Sequence, residues 1–236
     1  MLASSMSLPG TSWGREMEHQ DPSADGHCLD RAGRVQGGCM PPSKSKRIYR
    51  LKVTLTGIEP PTWRRLLVPA DFTLARLHRV LQDAMGWTNS HLHCFEVEDR
   101  CIGMAGVEED HPELEDERRV RVASVLPKKG SRLLYRYDYG DDWEHLILVE
   151  AVADPDHRHS YPLCIGGARA CPPEDCGGAG GYEELLRVLA APQDEEHDQM
   201  LTWVGGHFDP ESFDPNAVNR IFRYGALAQR APRTGP

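Results

Sequence analysis

The chain contains 236 residues, of which 39% are hydrophobic and 27% are charged, a composition typical of globular proteins that fold in water. No apolar run approaches the ~20 residues that a membrane-spanning helix needs, which argues against a membrane protein. The formal net charge is -9 and the basic clusters are short, which argues against a nucleic-acid-binding protein.

Residues 1–46 are predicted to form a disordered N-terminal extension, because they are rich in Ser, Gly, Asp and Pro and lack an apolar period. Met40 stands shortly before the first predicted strand, so Met40 is an alternative to Met1 as the natural start. No signal-peptide pattern of a charged and then an apolar region is visible. Together with the seven cysteines, this predicts a cytoplasmic protein with reduced thiols.

Ordered structure is predicted from Arg47 onward, where RIYRLKVTLT alternates between apolar and polar residues. That alternation indicates a half-buried strand, and WRRLLV is its predicted hairpin partner across a proline turn. The segment 71–85 has apolar residues at steps of three and four. It therefore predicts a helix that Asp71 or Thr73 caps and Gly86 ends.

His91 and His93 belong to a third predicted strand, HLHCFEVE, where alternation places both on the face that Phe95 shares. A His-x-His pair on a strand is a known metal-ligand spacing, and it equally suits two hydrogen-bonded rings in a core. Further on, the segment Glu108 to Glu117 carries seven acidic residues in ten. It indicates a solvated loop, because the ordered spacing and the glycine of a calcium loop are missing.

Two more strands, RLLYRYDY and WEHLILVEAV, are predicted to form a hairpin around a Gly-Asp-Asp corner. The second of them is apolar on both faces, so it is predicted to be central and covered on both sides. His145 on this strand is then at least partly buried and needs a hydrogen-bond partner. Its candidate partners are the three nearby aspartates, Asp138, Asp141 and Asp142.

Proline and glycine dominate residues 154–181, so this segment is predicted to be a loop held by packing or by a metal. Three helices are predicted after it: 182–189, 194–204 with Trp203 buried, and one from Asp214-Pro215 with Ile221 facing inward. Strands followed by helices predict an α+β fold, a mainly antiparallel sheet with helices packed on it and a helical C-terminal part. We expect a single domain over 47–225 and a frayed tail over 226–236.

The cysteines Cys164, Cys171 and Cys176 are separated by six and four residues. With a histidine as fourth ligand they suit tetrahedral zinc, which makes zinc a candidate cofactor. The candidate fourth ligands are His145, His159 and His207. The spacing differs from paired Cys-x-x-Cys motifs, and the alternative is that the three thiols pack as small apolar side chains.

Five carboxylates lie at the corner or in the predicted loop and suit either a hard cation or acid–base chemistry. They are Asp138, Asp141, Asp142, Glu174 and Asp175. Asp142 and Asp175 stand in turn sequences, where aspartates commonly accept hydrogen bonds from backbone N–H groups. That pattern favours a structural role for these two residues.

Several segments resemble, in the same order, the plasmid pRiA4b ORF-3-like family: YRLKVTLTGIEPPTWRRLLVP, HLHCFEV, YDYGDDWEH, YPLCIGGARACPPEDCGG and FDPNAVN. The resemblance covers about Arg47 to Phe222 and implies an α+β fold. Members of that family are similar to passenger proteins of insertion sequences, so the resemblance implies association with a mobile element. It assigns no catalytic role, and the resolvase-like label of some members does not suit an acidic chain that shows neither an activated nucleophile nor a basic DNA groove. The family motifs fall on Trp63, Trp87, His91, His93, Tyr137, Gly140, Asp141, Asp142, Trp143, His145, Pro172, Pro173, Glu174, Asp175 and Gly177.

The main functional hypothesis is a non-enzymatic binding or interaction module for a protein or small-molecule ligand, with the PPEDCGG loop as one wall of its site. Its candidate ligand-binding residues are His91, His93, Tyr137, Asp141, Asp142, Trp143, His145, Glu174 and Asp175. One alternative is a zinc-dependent hydrolytic enzyme that uses the histidines and carboxylates, with Cys164, Cys171, Cys176 and His145 as metal ligands. Another is a DNA-associated accessory protein of a transposon or plasmid.

Overall fold

The computed structural model describes residues 47–104, 106 and 114–228. The predicted disordered extension over 1–46, most of the acidic run and the tail beyond residue 228 lie outside these residues. No helix in the described part combines the length and apolar character that crossing a bilayer requires.

One eight-stranded sheet organises the described chain. Its strands are β1 Ile48–Leu55, β2 Trp63–Pro69, β3 His93–Val97, β4 Arg100–Gly103, β5 Glu115–Asp116, β6 Arg132–Tyr137, β7 Trp143–Ala153 and β8 Leu163–Ala168. Their spatial order is β5-β4-β3-β6-β7-β1-β2-β8, and every neighbouring pair is antiparallel except β4 with β5. The predicted hairpins β1–β2 and β6–β7 are confirmed.

Five helices accompany the sheet: α1 Leu74–Met85, α2 Val122–Val125, α3 Gly178–Leu189, α4 His197–Trp203 and α5 Pro215–Ala228. Three of them follow the last strand. The predicted α+β class, with a mainly antiparallel sheet, is therefore confirmed.

Local sequence signals set the ends of α1 as predicted. The Thr73 hydroxyl accepts a hydrogen bond from the Arg76 N–H at 3.3 Å, which satisfies one of the free donors of the first turn. Gly86 adopts a left-handed conformation with φ 85°, and its N–H donates to the Gln82 carbonyl. A left-handed glycine after the last turn is a common way to end a helix.

The core lies on one face of the sheet. Alternate residues of the central strands, such as Leu51 and Val53 on β1 and Ile147 and Val149 on β7, are fully buried and form one cluster with side chains of α1, α2, α3 and α5. The other face is less covered, and Leu146 on β7 is 37% exposed. The prediction that β7 is covered on both sides is wrong, because the buried helical side chains pack on the same face.

The segment predicted to be a loop contains the edge strand β8, which pairs with β2. Its position is fixed by contacts that hydrophobic periodicity does not show. The Asn219 side chain of α5 accepts from the Cys164 N–H at 2.7 Å and donates to the Cys164 carbonyl at 2.8 Å. A side chain at Gly167 would meet the Phe213 ring at 2.5 Å, so glycine permits the close approach.

Two helical side chains predicted to face inward are exposed. Trp203 is 48% exposed and Ile221 is 44% exposed. Trp203 belongs to the short helix α4, none of whose residues is buried. On α5, Val218 and Phe222 are buried and form the inward face, and only Ile221 departs from the predicted pattern.

Candidate functional site

The corner between β6 and β7 is a tight turn built around Asp138. The Asp138 carboxylate accepts a hydrogen bond from the Gly140 N–H at 3.0 Å, and its carbonyl accepts from the Asp142 N–H at 2.6 Å. Asp138 and Asp142 both have positive φ, 60° and 53°, a conformation that aspartate tolerates better than most residues. The turn therefore holds the Asp138 side chain in a fixed position at the end of the sheet.

The loop that carries the PPEDCGG motif packs directly against this corner. The Gly177 N–H donates to the Asp141 carboxylate at 3.2 Å, and a Cβ at Gly178 would lie 2.5 Å from the Asp141 carbonyl oxygen. At the other end of the loop, the Trp87 indole N–H donates to the Pro172 carbonyl at 2.9 Å. Gly178 thus lets the loop approach the corner closely, and Trp87 anchors the loop from the core.

Glu174 ties this loop to two other segments. It accepts hydrogen bonds from the Tyr137 hydroxyl at 2.5 Å and from the Thr88 N–H and hydroxyl at 2.8 and 2.6 Å. Burial works against the charged form, but these hydrogen bonds lower the pKa of the Glu174 carboxyl below its ordinary value. Both carboxylate oxygens accept hydrogen bonds from within the protein, so Glu174 positions the loop.

Three potential metal ligands meet where these segments converge. The Nε2 atom of His91 lies 3.5 Å from an Asp138 carboxylate oxygen and 3.1 Å from an Asp175 carboxylate oxygen. The three ligand atoms lie within 4.8 Å of one another, and no other group of three His, Cys, Asp or Glu side chains in the described chain does so. The His91 Nε2 atom is itself buried and forms no well-aligned hydrogen bond.

This cluster opens toward solvent on one side. The side chain of Asp138 is 10% exposed, that of His91 is 27% exposed and that of Asp175 is 69% exposed. One imidazole and two carboxylates are suitable ligands for Zn²⁺ or Mn²⁺. Ligand atoms about 2.1 Å from one ion are separated by roughly 3 Å, which is close to the distances of His91 Nε2 from Asp175 and Asp138, 3.1 and 3.5 Å.

Other predicted site residues lie in the core. His93, Trp143 and His145 are 3%, 1% and 0% exposed, and they do not belong to the cluster. His91 precedes β3 while His93 begins it, so the prediction that the two share one strand face is wrong. Tyr137 is also buried, but its hydroxyl reaches the loop.

His93 belongs to a buried polar network that the sequence did not reveal. Its Nε2 atom lies 2.8 Å from the Glu117 carboxylate, and its ring stacks on that of His78 with centroids 3.5 Å apart. The network also includes the Tyr135 hydroxyl. It lies 2.8 Å from His78 Nδ1 and accepts a hydrogen bond from the Gln82 side chain at 3.0 Å. These hydrogen bonds favour the core interpretation of His93.

His145 is held without an aspartate. Its Nδ1 atom lies 3.3 Å from the Tyr135 carbonyl oxygen, and burial lowers the pKa of its ring to about 4. The prediction that a nearby aspartate is its partner is wrong. Asp138 contacts His91 instead, with its carboxylate 3.5 Å from His91 Nε2.

The structure does not bring the four predicted zinc ligands together in one group within the described residues. Cys171 lies 3.1 Å from the Met85 sulfur, Cys164 contacts the Gly166 carbonyl and Cys176 contacts the Gly178 carbonyl. Burial raises the pKa of the Cys171 and Cys176 thiols to about 12. Burial of this kind favours the neutral thiol over the thiolate that binds metals.

Comparisons with known proteins find a matching family model, a related sequence and a related structure. The family model described as plasmid pRiA4b ORF-3-like protein matches residues 47–217. The chain is 41% identical over 173 residues to the uncharacterized protein y4hQ of Sinorhizobium fredii. The alignment covers 73% of this chain and 86% of y4hQ. The crystal structure of a protein of unknown function, MM3350 from Methanosarcina mazei Go1, superimposes with a TM-score of 0.66 at 37% identity, over 73% of this chain and 98% of that one. The chain belongs to the plasmid pRiA4b ORF-3-like family.

Proposed function

We propose that this protein is a binding module that holds a divalent metal ion between His91, Asp138 and Asp175. The observation that carries the proposal is the convergence of one imidazole nitrogen and two carboxylates within 4.8 Å. These ligands come from three separate segments, the loop before β3, the β6–β7 corner and the PPEDCGG loop. Loops positioned by a rigid scaffold are where binding residues concentrate.

The surroundings of the cluster support this role. Asp138 is fixed by its own turn, and Glu174 fixes the loop next to Asp175 through Tyr137 and Thr88. A preorganised set of ligands loses little conformational entropy when it binds an ion. The solvent-facing side leaves coordination positions for an oxygen atom of a second ligand, which is either a small molecule or an acidic side chain of a partner protein.

A metal-dependent hydrolytic enzyme is the second candidate. Catalytic zinc sites commonly use three protein ligands and keep one position for water, and the group of three with Asp175 69% exposed matches that pattern. In such an enzyme the bound ion lowers the pKa of a coordinated water. The cysteine zinc site and the association with mobile elements stay predictions.

The test is a titration of the full chain with Mn²⁺, in which calorimetry measures the heat of binding. Manganese is the better probe because thiolates bind it weakly, so the cysteines contribute little. We expect the Asp175→Asn variant to bind at least tenfold more weakly than the wild type. The matched control is Asp198→Asn, which removes a fully exposed carboxylate on α4 and is expected to leave the affinity unchanged.

Equal affinities for the two variants, or no binding by the wild type at millimolar Mn²⁺, would show that the cluster is not a metal site. If the site binds the ion, hydrolysis of p-nitrophenyl esters and phosphates separates the two candidates. Turnover that is lost in Asp175→Asn and kept in Asp198→Asn identifies an enzyme. Ion binding without turnover of these model substrates favours the binding module.

A further inference from the structure

The face of the sheet opposite the core carries a group of cationic side chains. The alternation that buries Leu51 and Val53 places Lys52 on this outer face, next to Arg65 of β2 on one side and Leu148 of β7 on the other. Leu148 in turn pairs with Arg132 of β6. Since neighbouring strands are about 4.8 Å apart, these three cations lie in one row across the sheet, with Leu148 of β7 between Lys52 and Arg132.

A depression of about 660 Å³ is lined by both cations at the ends of this row, Arg65 and Arg132, and by Leu148 between them. Its charged lining residues are Arg50, Arg65, Lys129, Arg132 and Glu150. Four cations and one acid give a local formal charge of +3, whereas the whole chain carries -9. A volume of this size matches the range of roughly 300–1,000 Å³ that small-molecule sites occupy.

The single acid in the depression orients two of its cations. Glu150 accepts two hydrogen bonds from the Arg65 guanidinium, at 2.7 and 2.8 Å, and lies 3.2 Å from the Arg50 guanidinium. Glu150 thus contacts the guanidinium groups of both Arg65 and Arg50. The structure shows no ion pair for Arg132 or Lys129 within residues 47–104, 106 and 114–228, so the charge of these two side chains is not neutralised there.

The positive charge does not continue along the outer face. Near the β6–β7 corner, Arg136 is surrounded by Glu96, Asp142 and Glu144 at 3.4, 3.3 and 2.7 Å. A nucleic-acid strand that ran along the sheet would meet this acidic end, where phosphates are repelled. The charge distribution therefore favours a compact anion over an extended one.

We propose that this depression binds a small molecule that carries two or more phosphate groups. Guanidinium groups match phosphate oxygens with two parallel hydrogen bonds, and a ligand with several negative charges in a small volume complements the local charge of +3. The site shares no residue with the His91 cluster. It is independent of the proposed metal ion.

The experiment measures binding of inorganic tripolyphosphate to the full chain by calorimetry at low ionic strength. The protein is first freed of metal on a chelating resin, so that an ion at His91 cannot bind the probe. We expect the Arg132→Glu variant to bind at least tenfold more weakly than the wild type. The control is Arg223→Glu, which reverses an exposed charge on α5 and is expected to bind like the wild type.

Arg132 is exposed at the first position of β6, so its substitution is not expected to prevent folding, and a thermal melt of each variant checks this. No tripolyphosphate binding by the wild type, or an equal loss in both variants, would overturn the proposal. A single-stranded oligonucleotide that binds more tightly than tripolyphosphate and also depends on Arg132 would overturn it in favour of a nucleic-acid partner. Weakening only in Arg132→Glu, with tripolyphosphate preferred, supports it.

Discussion

His145 provides a direct test of which motif residues belong to the scaffold. Its ring is 0% exposed, contacts the Trp87 ring edge-on at 5.3 Å, and has an Nε2 atom without a hydrogen-bond partner in the described chain. Burial lowers the pKa of the ring from 6.5 to about 4. A side chain held neutral in this way makes the free energy of unfolding depend on pH.

The sign follows from the two pKa values. Between pH 6.5 and pH 4 the unfolded chain binds a proton at residue 145 that the folded chain does not bind, so the free energy of unfolding falls as the pH falls. One pKa unit corresponds to about 1.4 kcal/mol, so the full loss is about 3 kcal/mol below pH 4. That is a large part of the 5–15 kcal/mol that is typical of a folded domain.

The assay is urea unfolding at several pH values between 7 and 4.5, monitored by tryptophan fluorescence. We compare the wild type with His145→Leu, since leucine removes the titrating ring while the other titrating groups, including His78, stay in place. Between these two pH values the wild type is expected to lose about 2 to 3 kcal/mol more than the variant. The control His159→Leu removes a half-exposed ring and is expected to follow the wild type. Parallel curves for the wild type and His145→Leu would refute the argument that His145 is held neutral in the core.

Two further substitutions test the contacts that hold the loop and the edge strand. Trp87→Phe removes the indole N–H that donates to the Pro172 carbonyl. We expect the free energy of unfolding, measured in urea, to fall by about 1–3 kcal/mol. An unchanged urea midpoint would contradict this expectation. Asn219→Ala removes both hydrogen bonds to the Cys164 backbone and is expected to cost about 2–4 kcal/mol and to speed amide exchange in β8. The control Asn216→Ala changes an exposed residue of the same helix. Equal amide exchange rates of β8 in the two variants would contradict the expectation.

Much of the fold is predictable because local signals and tertiary structure agree. The hairpins follow from alternation and turn residues, and α1 ends where Thr73 and Gly86 indicate. The start of α5 is also local, since the Asp214 carboxylate accepts from the Asn216 N–H at 2.8 Å. In each case the contacts that fix the boundary lie within a few residues of sequence.

The parts that were not predicted depend on contacts between distant segments. β8 lacks alternation, and its position depends on Asn219 and on the glycine that admits Phe213. The metal-ligand cluster has the same origin: Asp138 looks like a turn residue, and only the folded chain places it beside His91 and Asp175. The prediction placed His91 on the same strand face as His93 because it began the alternation two residues before the first residue of β3.

The motif YDYGDDWEH contains residues of two kinds, core residues on the strand and contact residues in the turn. Its strand residues Trp143 and His145 point into the core, while its turn residues Asp138 and Asp141 contact His91 and the PPEDCGG loop. Substitution of a core residue disturbs the sheet end on which the turn is built, so loss of binding in a His145 variant would not distinguish a ligand from a scaffold residue. Substitution of Asp175 changes an exposed side chain and leaves the core intact, and this is why the metal-binding test depends on that residue.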